Sequence, residues 1–114
     1  MFDFEKLNVY LKAKEYNKKV YNFMLTSKLD RTTYDQLRRA SFSIMLNIAE
    51  GSGRSSKADK RRFYVISRGS AFECVAIFDY LKDINAINET QFKSFYDDLD
   101  ELSRMLFSMM KSLS

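Results

Sequence analysis

Apolar residues recur at spacings of three and four along four separate stretches of the chain, the pattern of helices that each bury one face. In the first stretch, Leu7, Tyr10, Leu11, Ala13, Val20, Phe23 and Met24 predict a helix capped by Asp3 and ending near Leu25. Thr26–Arg31 reads as a short polar connection. Thr33-Tyr34-Asp35-Gln36 has the form of a capping box, opening a second helix that runs to about Glu50. Gly51-Ser52-Gly53-Arg54-Ser55 interrupts the pattern and predicts a turn. Ser56 is the expected cap of a third helix that reaches about Ile84, with an inner stripe of Phe63, Ile66, Ser70, Glu73, Ile77, Leu81 and Ile84. Asn88-Glu89-Thr90-Gln91 repeats the capping-box form. The fourth helix then carries a heptad seam through Phe92, Phe95, Leu99, Leu102, Leu106, Met109 and Leu113.

Four helices joined by short links place sequential neighbours antiparallel, so the expected fold is all-α, an antiparallel up-and-down four-helix bundle. With 114 residues the chain is read as one domain, 1–114. It has no proline and three glycines, which suits long helices.

Two departures from a simple amphipathic pattern are informative. The second helix carries two apolar stripes. Leu37, Ala40, Ser41, Ile44 and Ile48 form one, and Phe42, Met45, Leu46 and Ala49 form the other, at i, i+3, i+4 and i+7. At about 100° per residue their centres lie roughly 120° apart. A bundle helix needs a single buried face, so Phe42, Met45, Leu46 and Ala49 are expected at an oligomer interface or under unusually deep cover. The second departure is polar. Ser70 and Glu73 fall on the inner stripe of the third helix, while Arg39 and Asn47 share a face of the second. Measured from a turn centred near Gly53, Arg39 lies level with about Ser67–Ser70. A buried Glu73 carboxylate demands a cation, so Arg39, Asn47, Ser70 and Glu73 are read as a structural polar network that fixes helix register. Gly69, in mid-helix, is expected to let another helix approach closely.

Charge changes the picture further. The net charge is +4, unevenly spread. Residues 31–68 hold nine Lys or Arg against three acids, and residues 69–114 hold four against eight. Such asymmetry suits an electrostatically directed partner, a polyanion or another copy of the chain. The basic residues concentrate at the second turn: Arg54, Lys57, Lys60, Arg61 and Arg62, with Arg68 further along. Lys57, Lys60 and Arg61 share one helical face. Arg54 lies beside a helix N-terminus whose free N–H groups favour phosphate. Tyr64 is near enough to stack on a base. A solvated basic face, a nucleic-acid backbone site and a surface for an acidic protein all remain open on these residues.

The chain contains no histidine, which removes the commonest general base and metal ligand. Di-iron and haem bundles are excluded for the same reason. Glu73 has no second acid or histidine to make it catalytic. Gly51-Ser52-Gly53-Arg54 lacks the Lys-Ser/Thr of a phosphate-binding loop and follows a helix. No catalytic residue, metal ligand or cofactor is therefore expected. Cys74 is the only cysteine, reads as a small core residue and suits a reducing cytoplasm. No uncharged run approaches a membrane span, and the N-terminus lacks a secretory pattern.

Three segments carry a family resemblance: Phe4-Glu5-Lys6-Leu7, the run from Gln36-Leu37-Arg38-Arg39-Ala40 through Ser43-Ile44-Met45-Leu46-Asn47-Ile48-Ala49-Glu50-Gly51 to Ser52-Gly53-Arg54, and the run Arg62-Phe63-Tyr64-Val65-Ile66-Ser67-Arg68-Gly69-Ser70-Ala71-Phe72-Glu73. The chain resembles the bacterial proteins named for intervening sequences of 23S ribosomal RNA, also called four helix bundle proteins. The accessory protein of diversity-generating retroelements is a relative. The resemblance implies a ring-shaped homopentamer with a basic surface and no known enzymatic activity. For the retroelement relative it implies binding to nucleic acid and to a reverse transcriptase. The expected partners are thus a homo-oligomer, RNA or DNA, and, as the alternative, a protein for which the chain is an accessory subunit.

Overall fold

The computed structural model describes residues 1–114. A single 3-10 turn, Asp3–Lys6, precedes four helices: α1 (Asn8–Thr26), α2 (Arg31–Ser52), α3 (Lys57–Asp83) and α4 (Glu89–Ser112). Each packs antiparallel on its sequential neighbour, and α4 closes back on α1. The result is an up-and-down four-helix bundle measuring 44 × 25 × 22 Å.

The helix starts follow from side chains that satisfy free backbone N–H groups. The Ser56 hydroxyl accepts from the Asp59 N–H at 3.1 Å. Asn88 and Gln91 form the expected capping box, with Asn88 accepting from the Gln91 N–H at 2.8 Å. Two starts differ from expectation. The box at Thr33–Gln36 does not form, because Asp30 caps α2 three residues earlier, accepting from the Thr33 N–H at 2.8 Å. An ionised carboxylate makes the stronger, charge-assisted cap. Asp3 opens only the 3-10 turn; α1 begins after Leu7, which offers no capping side chain.

One core cluster draws on all four helices. The first stripe of α2 is fully inside: Leu37, Ala40, Ser41, Ile44 and Ile48 are each 0–1% exposed. The α4 seam likewise buries Phe95, Leu99, Leu102 and Leu106. Phe78 and Phe95 stack at 4.4 Å between centroids, with Phe23 edge-on to both.

The inner face of α3 corrects the sequence reading. Tyr64, Ser67, Ser70, Ala71, Cys74, Phe78 and Leu81 point inward. Ile66 is 41% and Ile84 52% exposed. The helix is turned by one residue, about 100°, from the predicted stripe. Its inner residues near α2 are small, so the two helices lie close. The Ser67 hydroxyl donates to the Ile44 carbonyl at 2.7 Å across that seam.

The close-approach glycine also differs from expectation. Gly69 faces open space, and a Cβ placed there would have no neighbouring atom within 4 Å. Gly51 is the crowded one. It sits buried in the last turn of α2, where a Cβ would lie 2.9 Å from both Phe63 Cβ and Tyr64 Cε1. The break begins only at Gly53, which caps α2.

Candidate nucleic-acid interface

The corner between α2 and α3 is built around Phe63. Its ring is flanked by the guanidinium groups of Arg54 and Arg62, 4.6 and 4.4 Å from the centroid. Carboxylates hold both arginines. Arg54 pairs with Glu50 at 2.5 Å and approaches Asp59 at 3.8 Å, while Arg62 pairs with Asp59 at 2.9 Å. Lys60 donates to the Ser52 carbonyl at 2.8 Å and so satisfies the end of α2. Three of the five cations named from sequence thus have jobs within the fold. Lys57 and Arg61 have none. Both are exposed in the first turns of α3 and lack any carboxylate partner. Tyr64 is not available to a base: it is 4% exposed, and burial pushes its phenol pKa up. The aromatic at this corner is Phe63, which the one-residue rotation of α3 brings outward.

The predicted polar network exists as two separate pieces. Arg39 donates to Glu73 at 2.5 Å and to Gln36 at 2.9 Å. Further along the seam, Ser70 donates to Ser43 at 2.7 Å, and Asn47 donates to the Ser43 carbonyl at 2.8 Å. Glu73 is not the buried carboxylate expected. Its side chain is 39% exposed and that of Arg39 60%, so the pair is a surface one of small energetic worth.

A third polar group had no signal in the sequence pattern. Ser41 lies between the Tyr16 hydroxyl at 3.2 Å and the Cys74 sulfur at 3.6 Å, all in the core. Asn17 donates to the Ser41 carbonyl at 2.9 Å. Burial raises the pKa of both the Tyr16 phenol and the Cys74 thiol, which keeps them protonated and unreactive. No three His, Cys, Asp or Glu side chains converge to hold a metal.

The second stripe of α2 lies on the surface of the isolated chain. Phe42 is 37% and Leu46 56% exposed, with Met45 and Ala49 half-buried beside them. Arg38 sits over the Phe42 ring at 4.7 Å. No helix is long and apolar enough to cross a membrane.

Fold and surface therefore define a helical bundle whose distinguishing chemistry is a basic corner and an uncovered apolar stripe. The profile of the family described as 23S rRNA-intervening sequence protein matches residues 5–108, and the chain belongs to that family. It is similar in structure to a protein of unknown function from the S23 ribosomal protein family of Bacteroides thetaiotaomicron. The TM-score is 0.84 at 25% identity, over 90% of this chain and 98% of the other. No curated protein matches the chain.

Proposed function

We propose that this protein is a non-enzymatic, homo-oligomeric, cytoplasmic bundle that binds RNA or other nucleic acid through backbone phosphates. The observation that carries the reading is the pair Lys57 and Arg61: two exposed cations without internal partners, beside the free N–H groups that begin α3. Arg54, Lys60 and Arg62 surround them. Arg54 and Arg62 are held against the Phe63 ring and Lys60 against the end of α2, so these cations stay gathered at the same corner. Contacts to phosphates carry no sequence information, so the binding is expected to be without strong sequence preference. The uncovered stripe Phe42, Met45, Leu46 and Ala49 supports assembly, which would multiply the basic corners presented to one nucleic acid.

The test is an RNA titration at several salt concentrations between about 50 and 200 mM. Binding through phosphates releases counterions, so log K falls linearly with log salt. Lys57→Glu and Arg61→Glu should each flatten that slope by roughly 0.7–0.9, with the helical fold intact. Salt-independent binding, or none at the lowest salt, refutes the reading. Recovery of one protein partner after nuclease treatment would instead favour an accessory-subunit role.

A further inference from the structure

The bundle has two grooves that expose apolar surface, and they lie on opposite sides. Helices neighbour one another in the order α1, α2, α3, α4, with α4 closing on α1. The α1–α2 groove and the α3–α4 groove therefore face away from each other. Their charges are opposite. Lys14, Lys18 and Arg38 line the first, together with Tyr21, Phe42 and Met45, and no acid does. Asp79 and Asp100 line the second, together with Phe72, Val75, Ala76 and Tyr96; the cations nearest it, Arg68 and Lys82, lie over the Phe72 and Phe92 rings at its edges.

Both grooves present aromatic side chains to water. Tyr21 is 54% exposed, Phe72 56% and Tyr96 46%. Aromatic side chains gathered at a groove suit the core of a protein–protein contact. Asp79 has no cationic partner within the chain, whereas Asp100 is paired with Arg104.

We infer that the α3–α4 groove of one copy receives the α2 stripe of the next, so that copies join head to tail. The inference rests on the homo-oligomeric reading above and adds the second face of the contact. The stripe has the chemistry the groove calls for. Phe42, Met45, Leu46 and Ala49 form a ridge at helical spacing, flanked by Arg38 on its own helix and by Lys14 and Lys18 on α1. A ridge of that kind fits a groove between two helices. Arg38 then meets Asp79, a carboxylate with no partner of its own. Opposed charges at the rim set register and exclude the like-with-like pairing. A symmetric contact of two α2 stripes would instead bring Arg38, Lys14 and Lys18 of both copies together. A head-to-tail contact uses one face of each kind per copy, so every face is covered only when the assembly closes on itself.

The test uses two variants of the full chain. Leu46→Asp places an acid on the stripe, and Ala76→Arg fills the groove while neutralising its rim. Both positions are exposed, so the helical fold is expected to persist, as circular dichroism would check. Solution mass is measured by light scattering. Each variant alone should be a monomer. Mixed, they should form a one-to-one dimer and stop there, because each retains the face the other has lost. If Ala76→Arg keeps the wild-type mass, the groove is not the acceptor. If the mixed variants stay monomeric, the two faces do not fit each other. Either result overturns the inference while leaving assembly itself intact. A monomeric wild type would overturn assembly as well.

Discussion

The packing at Gly51 supports a quantitative prediction. A methyl group at this position would approach Phe63 Cβ and Tyr64 Cε1 to 2.9 Å and the Lys60 carbonyl oxygen to 3.3 Å. Two of those three atoms belong to the α3 backbone or are bonded directly to it, so they move only if the helices separate. Overpacking of this kind costs about 1–3 kcal/mol. Replacing glycine by alanine within a helix returns up to about 1 kcal/mol, less near a helix end. Gly51→Ala should therefore destabilise the fold by a net ~1–2 kcal/mol. For a domain of this size, that lowers the melting temperature by roughly 5–10 °C. Gly69 is the internal control. It is also helical, it is exposed, and a methyl there meets nothing within 4 Å. Gly69→Ala should stabilise by about 0.4–1 kcal/mol. The assay is thermal and urea unfolding followed by helical circular dichroism, at one fixed protein concentration because assembly shifts apparent stability. The discriminating feature is the sign. If Gly51→Ala proves as stable as wild type or more so, α2 and α3 do not approach as closely as described.

Two further outcomes follow from ionisable groups. Cys74 is 0% exposed and burial raises its thiol pKa, so a thiol reagent at mildly alkaline pH should label the native protein far more slowly than the urea-unfolded chain; equal rates would contradict the core placement. The Asp30 carboxylate is held below its ordinary 3.8 by the Thr33 N–H, so its contribution to stability is complete above that value and disappears as pH falls through the lower folded-state one. Asp30→Asn keeps a capping oxygen without the charge, and should flatten the decline in the urea midpoint between about pH 5 and pH 2 (roughly the range over which a carboxylate protonates). An unchanged acid slope would show that other carboxylates set it.

The pattern of the chain is readable where one face of a helix is unambiguously apolar. On α4 the polar residues leave a single choice of stripe, and every predicted seam position is buried or partly buried. On α2 both stripes were legible; that the second stays at the surface and is not deeply buried was decided only by the fold. On α3 the pattern misleads because apolar side chains occur all round it: Val65, Ile66, Phe72 and Val75 as well as the true inner residues. Large aliphatic residues suggest a phase one residue away from the correct one. The small residues Ser67, Ala71 and Cys74 decide it instead, because they admit α2 at short range. That single rotation explains the linked differences at this helix. Glu73 moves to the rim, Tyr64 goes inside, and Phe63 takes the outward place at the basic corner. The candidate cations themselves were legible as a cluster. Which of them are free was not, since pairing with Glu50 and Asp59 depends on how the corner folds.

The hydroxyl and amide contacts to main-chain carbonyls have a mechanical consequence. Sliding one helix past another by a turn, about 5.4 Å, costs little where only aliphatic side chains touch, because one ridge resembles the next. Along α2 it is expensive. Ser67 is tied to the Ile44 carbonyl and Asn17 to the Ser41 carbonyl, and any slip would strand buried polar atoms without partners. The α1–α4 seam has a different kind of fastening. Lys19 pairs with Asp98 at 2.6 Å and Lys12 with Glu101 at 2.9 Å. Ion pairs at the surface stretch, exchange and weaken with salt. The bundle is thus indexed like a ratchet on either side of α2, while along α1–α4 the ion pairs form an outer clasp over the buried Phe23–Phe95 contact, one that ionic strength weakens without changing the register of the rest.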